Sequence, residues 1–159
     1  MNPTESPTIH GAHIKPLQVH CDDRGELMEI LRCDDPVFRE FGQVYMTTAY
    51  PGIVKAWHAH RLQDDSFACI HGEIRVGLYD GRENSPTHGA TMEVHLSRGN
   101  AALVSIPHLV YHGFENIAET EAIVINVVTA PYNADNPDEL RIDPFENDIP
   151  FRWQGTRGG

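Results

Sequence analysis

His58 and His60 stand two apart in the run Val54-Lys55-Ala56-Trp57-His58-Ala59-His60. An imidazole ordinarily titrates close to neutral pH, so such a pair can pass protons or bind a divalent metal under physiological conditions. Successive side chains of a strand point to opposite sides, which puts Ala56, His58 and His60 on one face and Lys55 and Trp57 on the other. On an outer face two histidines are unremarkable, whereas on an inner face each must find a partner or a ligand. Another carboxylate and another imidazole, Asp65 and His112, follow along the chain. The chain is acidic, with a formal net charge of -11 at pH 7. An anionic ligand would therefore have to be held by local cations, of which Arg24, Lys55 and Arg61 are the candidates, the global field being screened beyond ~8 Å at physiological salt.

The elements that must position these groups are short strands. Residues 14–20, 26–32, 43–50, 54–60, 66–70, 73–79, 91–97, 101–106 and 122–129 are rich in Val, Ile, Tyr, Phe and Thr. Turn chemistry separates them at Asp22-Asp23-Arg24-Gly25, Pro51-Gly52, His71-Gly72, Asp80-Gly81 and Arg98-Gly99-Asn100. The pattern predicts an all-β sandwich or barrel. Helix signals are confined to residues 36–41 and a turn around 137–140. The 159 residues suffice for one core. Residues 14–159 read as a single β-barrel domain behind a flexible leader, residues 1–13, that lacks the features of a signal peptide. Beyond Thr129 the chain is rich in Asn, Asp and Pro and is expected to run over the surface.

Function classes are narrowed by the same composition. No apolar run approaches the length of a membrane span, and the negative charge repels nucleic acid and anionic membranes. Neither is expected as a partner. Three cysteines, Cys21, Cys33 and Cys69, form no CxxC pair and are odd in number, which argues against a disulfide framework and for a cytoplasmic protein.

The spacing of the histidines is more specific than the pair itself. Gly52, His58, His60, Asp65 and Gly72 resemble the first motif of the cupins, with Asp65 where Glu is usual. Pro107, His112 and Asn116 resemble the end of the second, with Leu109 at the usual Gly. The resemblance implies a cupin fold, the double-stranded β-helix or jelly-roll barrel. In metal cupins these positions supply three histidines and a carboxylate, so one reading makes His58, His60, Asp65 and His112 ligands of a divalent Fe, Mn, Ni or Zn ion. The other leaves His58 and His112 inside a metal-free barrel with His60 and Asp65 as polar rim residues.

Residues 22–153 also resemble the dTDP-4-dehydrorhamnose 3,5-epimerase family, in several separated blocks. Asp23-Arg24-Gly25 with Glu29, then Gln43, then Lys55-Ala56-Trp57-His58 are in register with it. So are Gly72-Glu73, Asp80-Gly81-Arg82 leading to Ser85-Pro86-Thr87 and Gly89, Ser97, Ile106-Pro107 and His112-Gly113-Phe114. The resemblance implies an enzyme that works without a cofactor. It removes protons from carbons beside the ketone of a nucleotide-linked 4-keto-6-deoxy sugar and returns them on the other face. It makes His58 the base and puts His112 in the same pocket. Arg24 and Glu29 would reach the nucleotide-diphosphate sugar across a homodimer interface, with Gln43, Lys55 and His60 helping.

Lys55 and His58 can share that pocket only if the strand twists or bulges between them. The family's proton-donating tyrosine falls on Asn126 and its enolate-stabilising lysine at or near Asp65, while no equivalent of its histidine-orienting aspartate follows Trp153. The substitute acids on offer are Tyr132, which matches a second pocket tyrosine, and Tyr45 and Tyr111, to which the resemblance assigns no role. Three functions follow: a nucleotide-sugar epimerase (or 3,4-ketoisomerase, which shares the His-Ala-His strand), a metal-dependent cupin enzyme, or a silent sugar-nucleotide binder.

Overall fold

The computed structural model describes residues 8–159, and among these the regular elements are all strands. They are β1 (His13–Pro16), β2 (Val19–Asp22), β3 (Gly25–Met28), β4 (Gln43–Ala49), β5 (Ile53–Ala59), β6 (Asp65–His71), β7 (Glu73–Asp80), β8 (Thr91–Ser97), β9 (Ala102–Ile106), β10 (Val110–Asn116), β11 (Ala122–Val128), β12 (Leu140–Arg141) and β13 (Arg157–Gly158). Two sheets face each other. One runs β1-β9-β6-β11-β4, the other β12-β5-β10-β7-β8 with β13 parallel to β5, and β2-β3 form a separate hairpin. This is the all-β jelly-roll of the cupins.

Alternation explains which side of each strand is buried. Met92, Val94 and Leu96 of β8 point inward between exposed Glu93 and His95, and Ile74, Val76 and Leu78 of β7 do the same beside them. With Phe67, Val104, Ile106, Phe114 and Val124 they form the core between the sheets. Each such side chain, fully buried, contributes about 1.5–3 kcal/mol.

A second apolar cluster covers the outer face of the six-stranded sheet, where Trp57, Val54 and Ala56 pack against Ile149, Phe151 and Trp153. The segment carrying those aromatics is tacked down by buried charge. Arg75 Nε donates to Glu115 Oε1, while Glu115 Oε2 accepts from the backbone N–H groups of Gln154 and Gly155 at 2.8 and 2.7 Å.

Several expectations change in detail. The strand expected over 14–20 is two, β1 and β2, and that expected over 26–32 ends at Met28. Residues 36–41 and 137–140 form no helix, because neither short piece has an apolar face to bury. Strands β10, β12 and β13 were not anticipated. Ile9 and Ala12 are buried in the core and His13 opens β1, so the chain from residue 8 belongs to the packed domain; the earlier part of the expected leader lies outside the described residues.

Candidate active site

The open end of the barrel holds a cavity of about 430 Å³ between the inner faces of the two sheets. From the five-stranded sheet it receives Gln43, Tyr45 and Thr47 of β4, Asp65 and Phe67 of β6, and Asn126 and Val128 of β11. The other sheet supplies Lys55 and His58 of β5, with His60 just beyond it, and His112 and Phe114 of β10. Residues 137–139 and Arg141 close one side.

Lys55 and His58 both line this cavity, which strict alternation forbids. The register against β10 shows how: His112 pairs with His58 and Phe114 with Lys55, so Ala56 and Trp57 together oppose the single residue Gly113. This β-bulge reverses the parity of β5, sending Ala56 and Trp57 to the outer cluster and both functional residues inward. Gly113 is required opposite it, since a Cβ there would lie 2.3 Å from Ala56 Cβ and 2.6 Å from the Lys55 carbonyl oxygen. Lys55 Nζ reaches across to Thr47 Oγ1 at 2.9 Å and has no carboxylate partner among the described residues.

His58 of β5 and His60 just beyond it are oriented by a segment that sequence reading left without a role. Trp57 and Ile142 exchange backbone hydrogen bonds at 3.1 Å, and Leu140 and Arg141 pair with Ala59 and His58. This places Glu139 beside His58, whose Nδ1 donates to Glu139 Oε1 at 2.8 Å, while Glu139 Oε2 accepts from Arg141 Nε at 2.8 Å. His60 Nδ1 donates to the carbonyl of Asp138, and the Asp138 carboxylate holds the 61–63 loop through the N–H groups of Arg61, Leu62 and Gln63. With Nδ1–H committed to Glu139, His58 keeps its lone pair on Nε2. Burial pushes the ring below the ordinary histidine value, and the opposing charge and hydrogen bond of Glu139 do not restore it. A neutral ring with a free Nε2 beside a carboxylate is a competent general base.

Asp65 lies in the floor. Its Oδ1 accepts from Gln63 Nε2 at 2.7 Å and its Oδ2 from Asn126 Nδ2 at 2.8 Å. Burial alone would raise its pKa, but His112, His60 and Gln63 outweigh that and hold it down at about 2. The Nε2 atoms of His112 and His60 stand 3.4 and 3.7 Å from its two oxygens. Ligand atoms of His60, Asp65 and His112 all lie within 4.8 Å of one another. Both of these rings give Nδ1–H to a backbone carbonyl, Asp138 or Val110, which turns Nε2 to the carboxylate: with a proton it is the positive neighbour that favours ionised Asp65, and without one it offers a lone pair, as metal-ligating histidines do. The donor set thus suits a divalent ion with three protein ligands. Of the four ligands expected from the sequence, His58 falls outside this group and has its Nδ1 on Glu139.

Other expected site residues are placed differently. Gln43 faces the cavity and its Oε1 accepts from the Tyr132 N–H at 2.8 Å. That contact pins Tyr132 at the rim, with the residue 70% exposed. Arg24 and Glu29 do not line the cavity. Arg24 is an exposed residue at the tip of the β2-β3 hairpin, paired with Asp22, and Glu29 pairs with Arg32.

The sequence profile described as dTDP-4-dehydrorhamnose 3,5-epimerase matches residues 6–157. The spore coat polysaccharide biosynthesis protein SpsL of Bacillus subtilis is 40% identical over 145 residues, covering 91% of this chain and 96% of the relative. The probable low-salt glycan biosynthesis epimerase Agl13 of Haloferax volcanii is 40% identical over 142 residues, or 88% and 90% of the two chains. Among solved structures, a dTDP sugar isomerase of Desulfovibrio desulfuricans G20 superposes with a TM-score of 0.87 at 37% identity, covering 93% of this chain and 94% of the other. The chain belongs to the dTDP-4-dehydrorhamnose 3,5-epimerase family.

Within the cavity of this epimerase-family member, Asn126 and Asp65, the two residues at which the resemblance expected a tyrosine and a lysine, are hydrogen-bonded to each other. Asn126 Oδ1 accepts from Ser66 N–H at 3.0 Å and its Nδ2 also donates to Tyr45 Oη at 2.8 Å. The carboxylate that orients the histidine enters from Glu139, on the segment leading into β12, and not from beyond Trp153. The only sequence signal for it was an acidic pair, Asp138-Glu139, in a loop already rich in acidic residues.

Proposed function

We propose that this protein epimerises a nucleotide-linked 4-keto-6-deoxy sugar in polysaccharide or glycan biosynthesis, with His58 removing the proton beside the ketone. The His58–Glu139 pair on the cavity wall carries the reading. Glu139 fixes the Nδ1–H tautomer and stabilises the imidazolium that forms, while the charge left on the substrate oxygen meets Lys55 or the donors around Asp65. Family membership supports the substrate class, and free, unpaired Cys21, Cys33 and Cys69 suit a cytoplasmic setting. Among the described residues no helix is long and apolar enough to cross a membrane.

A homodimer completes the site in this reading. Val44 and Met46, on the outer side of edge strand β4, are 51% and 58% exposed, and the β2-β3 hairpin carries exposed Leu27 beside Arg24. A hairpin laid over the partner's β4 would cover these side chains and bring Arg24 and Glu29 towards the sugar nucleotide. The test is incubation with dTDP-, UDP- and GDP-linked 4-keto-6-deoxy sugars in D2O. Deuterium entering the carbon beside the ketone, lost in His58→Ala, is expected; no exchange into any of them overturns the function.

One observation favours a second reading, the convergence of His60, Asp65 and His112. These residues would hold a divalent ion, and when bound it would supply Lewis-acid polarisation of the ketone. Metal analysis of protein purified without chelator, compared with His112→Ala, decides between the readings: stoichiometric metal lost in the variant supports the ion, and its absence from active protein removes it.

A further inference from the structure

Resting on the epimerase reading, we propose that Tyr45 is the acid that returns the proton, a task that Asn126 beside it cannot perform. An epimerisation needs a base on one side of the reacting carbon and an acid on the other. His58 belongs to β5 in the six-stranded sheet, whereas Tyr45 belongs to β4 in the five-stranded sheet, and both line the cavity between the sheets. A sugar lying in that cavity therefore has His58 on one side and Tyr45 on the other.

The hydrogen bonds around Asn126 leave the Tyr45 proton free. Because Asn126 Oδ1 is committed to the Ser66 N–H, the atom facing Tyr45 is the amide nitrogen. A side-chain NH2 can only donate, so Tyr45 Oη is the acceptor in that 2.8 Å contact. Among the described residues the hydroxyl hydrogen has no acceptor of its own. Directly across from Tyr45 in the β11-β4 register stands Asn126 itself, fixed by Ser66 and Asp65. Asn126, where the resemblance expected a tyrosine, thus holds the oxygen of a tyrosine on the neighbouring strand.

The step balances without any further reagent. His58 Nε2 takes the proton, and the C–H electron pair becomes the enolate. That pair then forms a new C–H bond on the opposite face with the Tyr45 proton as its O–H bond breaks. The phenolate that remains accepts the Asn126 N–H until solvent reprotonates it, and His58 gives its own proton back to solvent. Burial and the neighbouring Asp65 charge raise the Tyr45 pKa, against the Asn126 hydrogen bond, so the phenol is protonated across the neutral range.

Tyr45→Phe separates the two half-steps. With a dTDP-linked 4-keto-6-deoxy sugar in D2O, wild type should both exchange and invert the reacting carbon. Tyr45→Phe should still exchange from the His58 side, while inversion falls about 100-fold or more. Dye-monitored thermal unfolding and dTDP binding should match wild type, showing that the pocket is intact. Inversion by Tyr45→Phe at the wild-type rate overturns the proposal, as does loss of inversion in Tyr132→Phe with Tyr45→Phe unaffected. Loss of exchange together with inversion in Tyr45→Phe, with dTDP still bound, overturns the one-sided role. Wild type that neither exchanges nor inverts any keto-sugar overturns the epimerase reading, and this proposal with it, a result recognisable before any variant is made.

Discussion

Glu139 acts on His58 in two ways that a single substitution can separate. It holds the ring through Nδ1 and it favours the protonated form that arises when the proton is taken. Glu139→Gln keeps a hydrogen-bonding group but removes the charge, so kcat should fall about 100-fold with KM nearly unchanged. The pH profile gives the sign. His58 works as a base only when neutral and burial holds its pKa below the ordinary histidine value of 6.5, so the acid limb of kcat/KM should fall below that pH in wild type. Without the Glu139 charge it should move lower still. A limb unmoved in Glu139→Gln would show that another group titrates there. Asp65 supplies a second residue-scale test, on stability. A carboxyl lowered from 3.8 to about 2 stabilises the fold fully above its unfolded value and loses that contribution as pH falls through the folded one. The amount is about 2 kcal/mol. Asp65→Asn should therefore be less stable than wild type at pH 7 by urea unfolding, with the gap closing between about pH 4 and pH 2.

At the scale of elements, the β5 bulge decides whether Lys55 and His58 serve one cavity. Gly113→Ala forces a methyl into the space held by Ala56 and the Lys55 carbonyl. The expected cost is about 1–3 kcal/mol in urea unfolding, with catalysis impaired through the displaced Lys55 and His58. Unchanged stability would mean that β5 and β10 part readily there. The same strand shows what a sequence can and cannot disclose. Alternation made β8 and β11 legible because their burial has the period of a strand, and the spacing of His58, His60, Asp65 and His112 marked residues that line one cavity, the last three with ligand atoms within 4.8 Å of one another. The bulge was not visible, since one inserted residue leaves the composition of a strand unchanged while reversing its faces. Nor were β12 and β13, because two-residue strands have no periodicity and exist only through pairing with β5. Glu139 was missed for that reason: its place beside His58 is set by a contact between segments 81 residues apart.

For the whole molecule, the exposed side of β4 and the hairpin that carries Arg24 predict association. Light scattering should give a dimer at micromolar concentration. Val44→Lys with Met46→Lys should yield a monomer that binds nucleotide sugar more weakly, because the partner's Arg24 no longer reaches it. A wild-type monomer would instead leave Arg24 with no part in the site. The late addition of β12 to β5 also bears on the birth of the protein. On the ribosome, His58 emerges 81 residues ahead of Glu139, which at ordinary elongation speeds is roughly 4 to 16 s. Throughout that interval the histidine strand has an open edge, the kind that pairs with neighbouring nascent chains. Its base also lacks the carboxylate that directs it. Catalytic competence is therefore acquired only after codon 139 has been read, and a message cut short before it would yield a sticky chain without activity.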